Sequence, residues 1–314
     1  MITTALYSLC FRLLLLHPFS YTDKTSAEGY ADVVTYENGF VAVGEEGQLH
    51  QLSSQGVVQK RFSVPDYSFI TAASGSMGVL AAAKSGEIVQ LGSDGTITRR
   101  DALSGKTINC LTEFNQMIVV GSDDGKLYVG SGNGGFQPVQ LSAKGDITAL
   151  SADAKHCYGV TSCGKIISTT NGKEWAIFDF NQEYKGHYKS VQFTAVLVSD
   201  KDIAVSGITL EGCPVFYHSA KGQVWIETPL TYTNQEGALQ TLDAKPNDIF
   251  RDIVNQTYYL ACTGGNLMVL PSCHQCNQLI QLPATSLRAV SGNPESILIA
   301  GTNAYLQFLT PLTL

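Results

Sequence analysis

One interval constrains this chain more than anything else in it. A short aliphatic run, a polar turn ending in Gly and a second run recur with the turn glycines at Gly47, Gly86, Gly125 and Gly164, 39 residues apart each time. Examples are Phe40-Val41-Ala42-Val43-Gly44-Glu45-Glu46-Gly47 and Ile118-Val119-Val120-Gly121-Ser122-Asp123-Asp124-Gly125. Later copies turn at Gly212 and Gly265, after longer intervals of 48 and 53, and a seventh turns at Thr302-Asn303-Ala304. A second glycine follows each of the first five turns by 8 to 10 residues, at Gly56, Gly95, Gly134, Gly172 and Gly222. Two glycine turns per unit describe two consecutive hairpins, because tight hairpin turns need positive φ. Segments such as Gln48-Leu49-His50-Gln51-Leu52 alternate polar and apolar, the half-buried strand period. Each unit thus supplies about four short strands. Seven such units predict an all-β fold, a seven-bladed β-propeller with four-stranded antiparallel blades.

Composition agrees with a large core. Apolar residues make up 44% of the 314 and charged residues 15%. The net charge of −7 argues against nucleic acid, which needs a surplus of Lys and Arg. No apolar run approaching 18 residues follows the first twenty positions, so no transmembrane span is expected. The chain divides into residues 1–27, a secretory leader or a closing strand, and residues 28–314, a single propeller. The leader reading rests on Leu13 to Leu16 and on Ser26-Ala27 as the nearest small-residue site; Arg12 interrupts the run. The closing-strand reading rests on the seventh unit, which ends about one strand short after Leu306-Gln307-Phe308. The leader reading sets an extracytoplasmic location, secreted or periplasmic.

At the second turn, Ser168-Thr169-Thr170-Asn171-Gly172-Lys173-Glu174-Trp175 resembles the Asp-box (BNR) repeat, Ser-x-Asp-x-Gly-x-Thr-Trp, with Thr170 where the Asp belongs. Ser131-Gly132-Asn133-Gly134, Ser93-Asp94-Gly95 and Lys221-Gly222-Gln223-Val224-Trp225 are fragments of the same turn. The layout is similar to bacterial extracytoplasmic propellers related to the photosystem II assembly factor and to sialidase-like folds, and lacks the Trp-Asp and Gly-His signatures of WD40 repeats. That resemblance implies a structural motif away from the active face. A sialidase would need three arginines around a carboxylate. Of the six here, Arg12 lies in the leader, Arg61, Arg99 and Arg100 fall on outer strands, and only Arg251 and Arg288 reach first strands.

The two long intervals mark where the propeller departs from regularity, in Asn181–Lys189 and from Thr231 through Asp248. Both connect an outer strand to the next inner strand, so they share one face. Tyr184, His187, Tyr188 and Tyr232 are expected to form an aromatic rim there, with Lys189, Asp248, Arg251 and Arg288 as ligand-binding partners; packing of Tyr184 and Tyr188 back onto the blades is the bland alternative. Function is read as non-catalytic binding or scaffolding of a glycan or a protein through this face, by a monomer without a cofactor. The alternative is a glycan-active hydrolase drawing on Asp248, Asp252, Glu183 or Glu236. Cys273-His274-Gln275-Cys276 is a C-x-x-C without a second ligand pair, open to a local disulfide or to free thiols before metal. Cys163, at a turn apex, is expected to be exposed.

Overall fold

The computed structural model describes residues 16–22, 29–76, 78–100, 103, 105–131, 135–141, 144–272 and 277–311. Seven four-stranded antiparallel sheets stand in a ring. Their innermost strands are β2 (Tyr30–Tyr36), β6 (Phe69–Gly75), β10 (Ile108–Phe114), β14 (Ile147–Ala152), β18 (Val191–Val198), β24 (Pro246–Asp252) and β28 (Leu287–Asn293). Each of these touches the next, and β28 touches β2, which closes the circle. Six blades are built from consecutive strands. The seventh takes β28, β29 (Ser296–Gly301) and β30 (Tyr305–Leu309) from one end of the chain, and β1 (Leu16–Thr22) from the other; β1 lies antiparallel to β30. Cys273–Cys276 and the segment before residue 16 lie outside the described residues.

The core is divided among the junctions. Seven apolar clusters occur among the described residues, each between two neighbouring blades. Val41, Val43 and Leu49 of blade one meet Phe69, Val79 and Ala81 of blade two, while Phe40, Ala42 and Leu52 face back to Leu298, Ala300 and Leu306 of blade seven. Successive residues of a strand point to opposite faces. The near-continuous aliphatic runs of second strands, such as β3 (Gly39–Gly44), buried along its whole length, follow from having a neighbour on both faces.

The recurrent glycine has two physical reasons at Gly47. Its φ is +70°, where L side chains are strained. A Cβ there would also meet the carbonyl oxygen of Val64 at 1.9 Å, because the turn between second and third strands presses on the connection leaving the blade. Gly212 has φ +87° but open space around it.

Every innermost strand slips register once against its neighbour, between Tyr30 and Asp32, Phe69 and Thr71, Ile108 and Cys110, Ile147 and Ala149, Phe193 and Ala195, Pro246 and Asp248, and Leu287 and Ala289. These are β-bulges, which re-aim a side chain. In four blades the bulged residue donates to a backbone carbonyl of the next blade, and in a fifth Arg288 reaches the Glu45 carboxylate. Asn109 Nδ2 donates to Ile147 O at 3.2 Å, Thr148 Oγ1 to Phe193 O at 2.9 Å, Thr194 Oγ1 to Pro246 O at 2.6 Å and Asn247 Nδ2 to Leu287 O at 2.7 Å. Each carbonyl acceptor directly precedes the next blade's own bulged residue, so the ties form a belt.

Gly47→Ala is expected to lower stability by about 2–4 kcal/mol through strain and overpacking together. Gly212→Ala, strained without a clash, costs about 1 kcal/mol. Thermal denaturation of the two variants side by side checks the order; equal losses would refute the packing argument.

Candidate functional site

The connections between blades and the turns carrying Gly47 or Gly164 share one face of the ring. Two insertions rise there, on either side of blade five. The first begins as a single helical turn, α1 (Phe180–Glu183), whose Asp179 Oδ1 accepts from Gln182 N at 3.2 Å. Asn181 pins it from below: its Nδ2 donates to Cys163 O and Val191 O, both at 3.1 Å, and its Oδ1 accepts from Val191 N at 2.8 Å. Phe180 is fully buried, and Tyr184 and Tyr188 pack on it with ring centroids 4.8 and 5.9 Å away. Tyr188 also lies 5.0 Å from the Tyr217 ring. Their hydroxyls are spent on blade five: Tyr184 Oη accepts from Trp225 N at 2.8 Å, and Tyr188 Oη donates to Trp225 O at 3.4 Å. The two tyrosines therefore fix the loop to the blades and do not offer free aromatic faces.

Of the expected binding residues on the first insertion, His187 and Lys189 are left to solvent, alongside Gln182, Glu183 and Lys185. Lys189 Nζ sits 3.6 Å from Glu211, and Leu210 N donates to Ser190 O at 3.1 Å. This joins the insertion to the turn Leu210-Glu211-Gly212 of blade five, where Leu210 stands 67% exposed. The second insertion is a hairpin of β22 (Thr231–Thr233) and β23 (Leu239–Thr241), with Asn234 Oδ1 taking the N–H groups of Glu236 and Ala238 in its turn. Asn277 Nδ2 tethers it to blade six through Thr231 O at 3.0 Å. Tyr232 is half-buried against the junction of blades five and six, and Leu239 projects, 72% exposed.

The remaining expected partners stand elsewhere. Asp248 is on β24 near the loop end. Its Oδ1 accepts from Ile249 N and its Oδ2 from Val290 N of blade seven, both at 2.8 Å. Arg251 lies three residues on, about 10 Å further along the strand toward the opposite face. There it binds Asp202 and, at 2.7 Å, Gln256 Oε1, while its guanidinium lies 5.0 Å from the Tyr258 ring centroid. Tyr258 Oη also donates to Asp202, and its hydroxyl is held well above the usual tyrosine range by burial and by that carboxylate. Arg288 is the bulged residue of blade seven and pairs with Glu45 of blade one at 2.9 Å. The structure thus groups Tyr184, His187, Tyr188 and Lys189, sets Tyr232 across blade five, and uses Asp248, Arg251 and Arg288 as ties between blades.

The sequence gives no hint of Asp32, which stands in blade one as Asp248 does in blade six. Its Oδ1 accepts from Val33 N and its Oδ2 from Ala72 N of blade two, both at 2.7 Å. Burial is the main cause lifting both carboxyls, Asp32 to about 6 and Asp248 to about 8, and the Asp32 charge adds to the effect on Asp248. The other carboxylates named for hydrolysis are apart: Glu183 and Glu236 are exposed, and Asp252 caps its own turn through Val254 N and Asn255 N. Cys163 and Cys213 are exposed, and Cys110, Cys157 and Cys262 are buried; all five are unpaired. Among the described residues no group of three His, Cys, Asp or Glu side chains gathers as a metal site, and no helix is long and apolar enough to cross a membrane.

No protein-family model and no curated protein matches the sequence. Solved structures do. A catalytically inactive virginiamycin B lyase from Staphylococcus aureus, with quinupristin, is 12% identical with a TM-score of 0.76, covering 94% of this chain and 99% of that one. The WD40 β-propeller domain of Doa1 is 13% identical with a TM-score of 0.68 over 95% and 97%. The computationally designed Ika8 protein is 11% identical with a TM-score of 0.63 over 91% and 97%. At these identities the likeness shows the fold alone, a seven-bladed propeller. That fold is compatible with a binding or scaffolding role.

The raised carboxyls give a signed prediction. Unfolded aspartates titrate near 4, so between about pH 4 and about pH 8 the folded chain holds protons the unfolded chain has lost, and stability falls as pH rises. The melting temperature is expected to drop from about pH 5 to about pH 8.5. Asp248→Asn, at the cost of the Val290 N–H acceptor at every pH, flattens that slope; an unchanged slope would rule out Asp248 as its source.

Proposed function

We propose that the chain is a non-catalytic binding or scaffolding propeller that engages a protein partner through the loop face of blades four to six. The observation that carries this is the pair of rigidly held insertions flanking blade five, with Leu210 and Leu239 presented to solvent between charged neighbours. Exposed aliphatic side chains rimmed by Lys189, Glu211 and Glu236 have the pattern of an apolar interface centre with a polar rim. A protein is favoured over a glycan at this face because Tyr184 and Tyr188, the rings that would stack on a sugar, have their faces against Phe180 and Tyr217. The hydrolase alternative draws no support from Asp248, both of whose oxygens are taken up by backbone N–H groups.

The likeness to Asp-box repeats belongs to the same proposal. The turn before Trp175 is closed by Asn171 Oδ1, which accepts from Lys173 N and Glu174 N at 2.9 Å. Asp94 Oδ1 does the same for Thr96 N in blade two. A side-chain oxygen capping its own turn is the structural part that the motif plays. Export to an extracytoplasmic compartment is proposed on the Leu13–Leu16 run alone, with residues 16–22 retained, because β1 is the fourth strand of blade seven.

Affinity capture with the full chain tests the reading. One specific protein partner is expected, lost in Leu210→Asp with Leu239→Asp while the melting temperature stays within about 2 °C of wild type, as exposed substitutions do. Capture unaffected by the double variant, or glycoside turnover abolished by Asp248→Asn, would overturn it.

A further inference from the structure

The end of blade four that carries the turns at Asp153 and Gly172 holds an open recess of about 370 Å³. Its shape follows from the register of three strands, β15 (Cys157–Thr161), β16 (Lys165–Thr169) and β17 (Ala176–Asp179). Tyr158 pairs with Ser168, and Ser168 with Ala176, so the three side chains form one row on a single face of the blade. Tyr158 packs into the junction with blade five, which makes that the face involved. Two short side chains beside a tyrosine leave space that the neighbouring blade does not fill. His156 and Thr170 extend the lining at the strand ends, and Trp175, packed toward blade three, closes the side.

The polar inventory of this recess is unusual for a packing gap. Tyr158 Oη, Ser168 Oγ and Thr170 Oγ1 make no hydrogen bond with any described residue. Trp175 Nε1 is buried without an acceptor, a state that native interiors avoid. Glu174 is exposed at the mouth, and Asp153 backs His156 at 3.6 Å. Lys and Arg are absent from the lining, so nothing there favours an anion.

We infer that this recess is a binding subsite for a neutral monosaccharide ring. Hydroxyls that both donate and accept match the hydroxyls of a sugar, and the rings of His156, Tyr158 and Trp175 offer apolar surface to its C–H face. The carboxylate of Glu174 at the mouth is an acceptor for a hydroxyl pair. The volume lies near the lower end of small-molecule sites, about 300–1,000 Å³, which suits one ring. The subsite lies on the face opposite Leu210 and Leu239, so it stands or falls independently of the protein-binding reading.

Titration of the full-length, nitrogen-15-labelled chain with methyl glucoside, methyl galactoside, methyl mannoside and N-acetylglucosamine tests it, with the Trp175 indole resonance assigned through Trp175→Phe. At least one sugar is expected to shift that resonance saturably, with a Kd on the order of 1 mM. Ala176→Arg fills the recess from the exposed edge strand, and is expected to weaken binding at least about tenfold without moving the melting temperature. Ser168→Val, which removes one hydroxyl, is expected to weaken it less. No shift with any of the four sugars up to about 50 mM, or wild-type binding by Ala176→Arg, would overturn the inference.

Discussion

A blade of this protein cannot bury itself. Each sheet is apolar on both faces, so each needs a neighbour on either side, and only a closed ring gives every sheet two. The seven clusters at the junctions are the result. Dispersion and burial hold them without fixing how far one blade slides along the next. The belt of bulged side chains supplies that register, because Thr148, Thr194 and Asn247 each donate to one particular carbonyl of the following blade. A bulge is where a strand can turn a side chain sideways out of its pleat. Asp32 and Asp248 act in the same layer, catching a backbone N–H of the next blade with a carboxyl oxygen.

Against that regular frame the irregular parts carry the information about function. The insertions beside blade five are not slack loops. Asn181 makes three hydrogen bonds with backbone groups beneath it, and Asn277 holds the hairpin from blade six. Ordering them in advance lowers the conformational cost of binding a partner. The recess of blade four arises by a different route, from short side chains in an otherwise regular sheet. One feature adds surface above the ring and the other removes volume from its opposite rim.

The architecture was legible in the sequence because Gly47, Gly86, Gly125 and Gly164 answer to backbone geometry. Positive φ and a carbonyl within 1.9 Å of where a Cβ would stand penalise any other residue at Gly47, so most of the period is written in one letter. The positions of the insertions were legible for the same reason, as breaks in that period. The roles of individual side chains were not. Tyr184 and Tyr188 satisfy the same sequence pattern whether they face solvent or Phe180, since only tertiary contact decides it. Arg251 and Asp248 are three residues apart, yet a strand sends them toward opposite ends of a blade. The recess went unseen because its lining comes from three strands, and the smallness of Ser168 and Ala176 has meaning only when they are side by side.

The seventh blade joins strands far apart in sequence, with Leu16 opposite Leu309. Six sheets need only hairpins between adjacent strands, whereas this one needs a contact spanning almost the whole polypeptide. Local pairings form early and distant ones bear the largest loop-closure entropy. On a ribosome, the six contiguous sheets can assemble as they emerge, but the β1 edge waits until β30 has been made. The ring is therefore sealed late by a single latch, and any unfolding route that starts by opening blade seven must first release it.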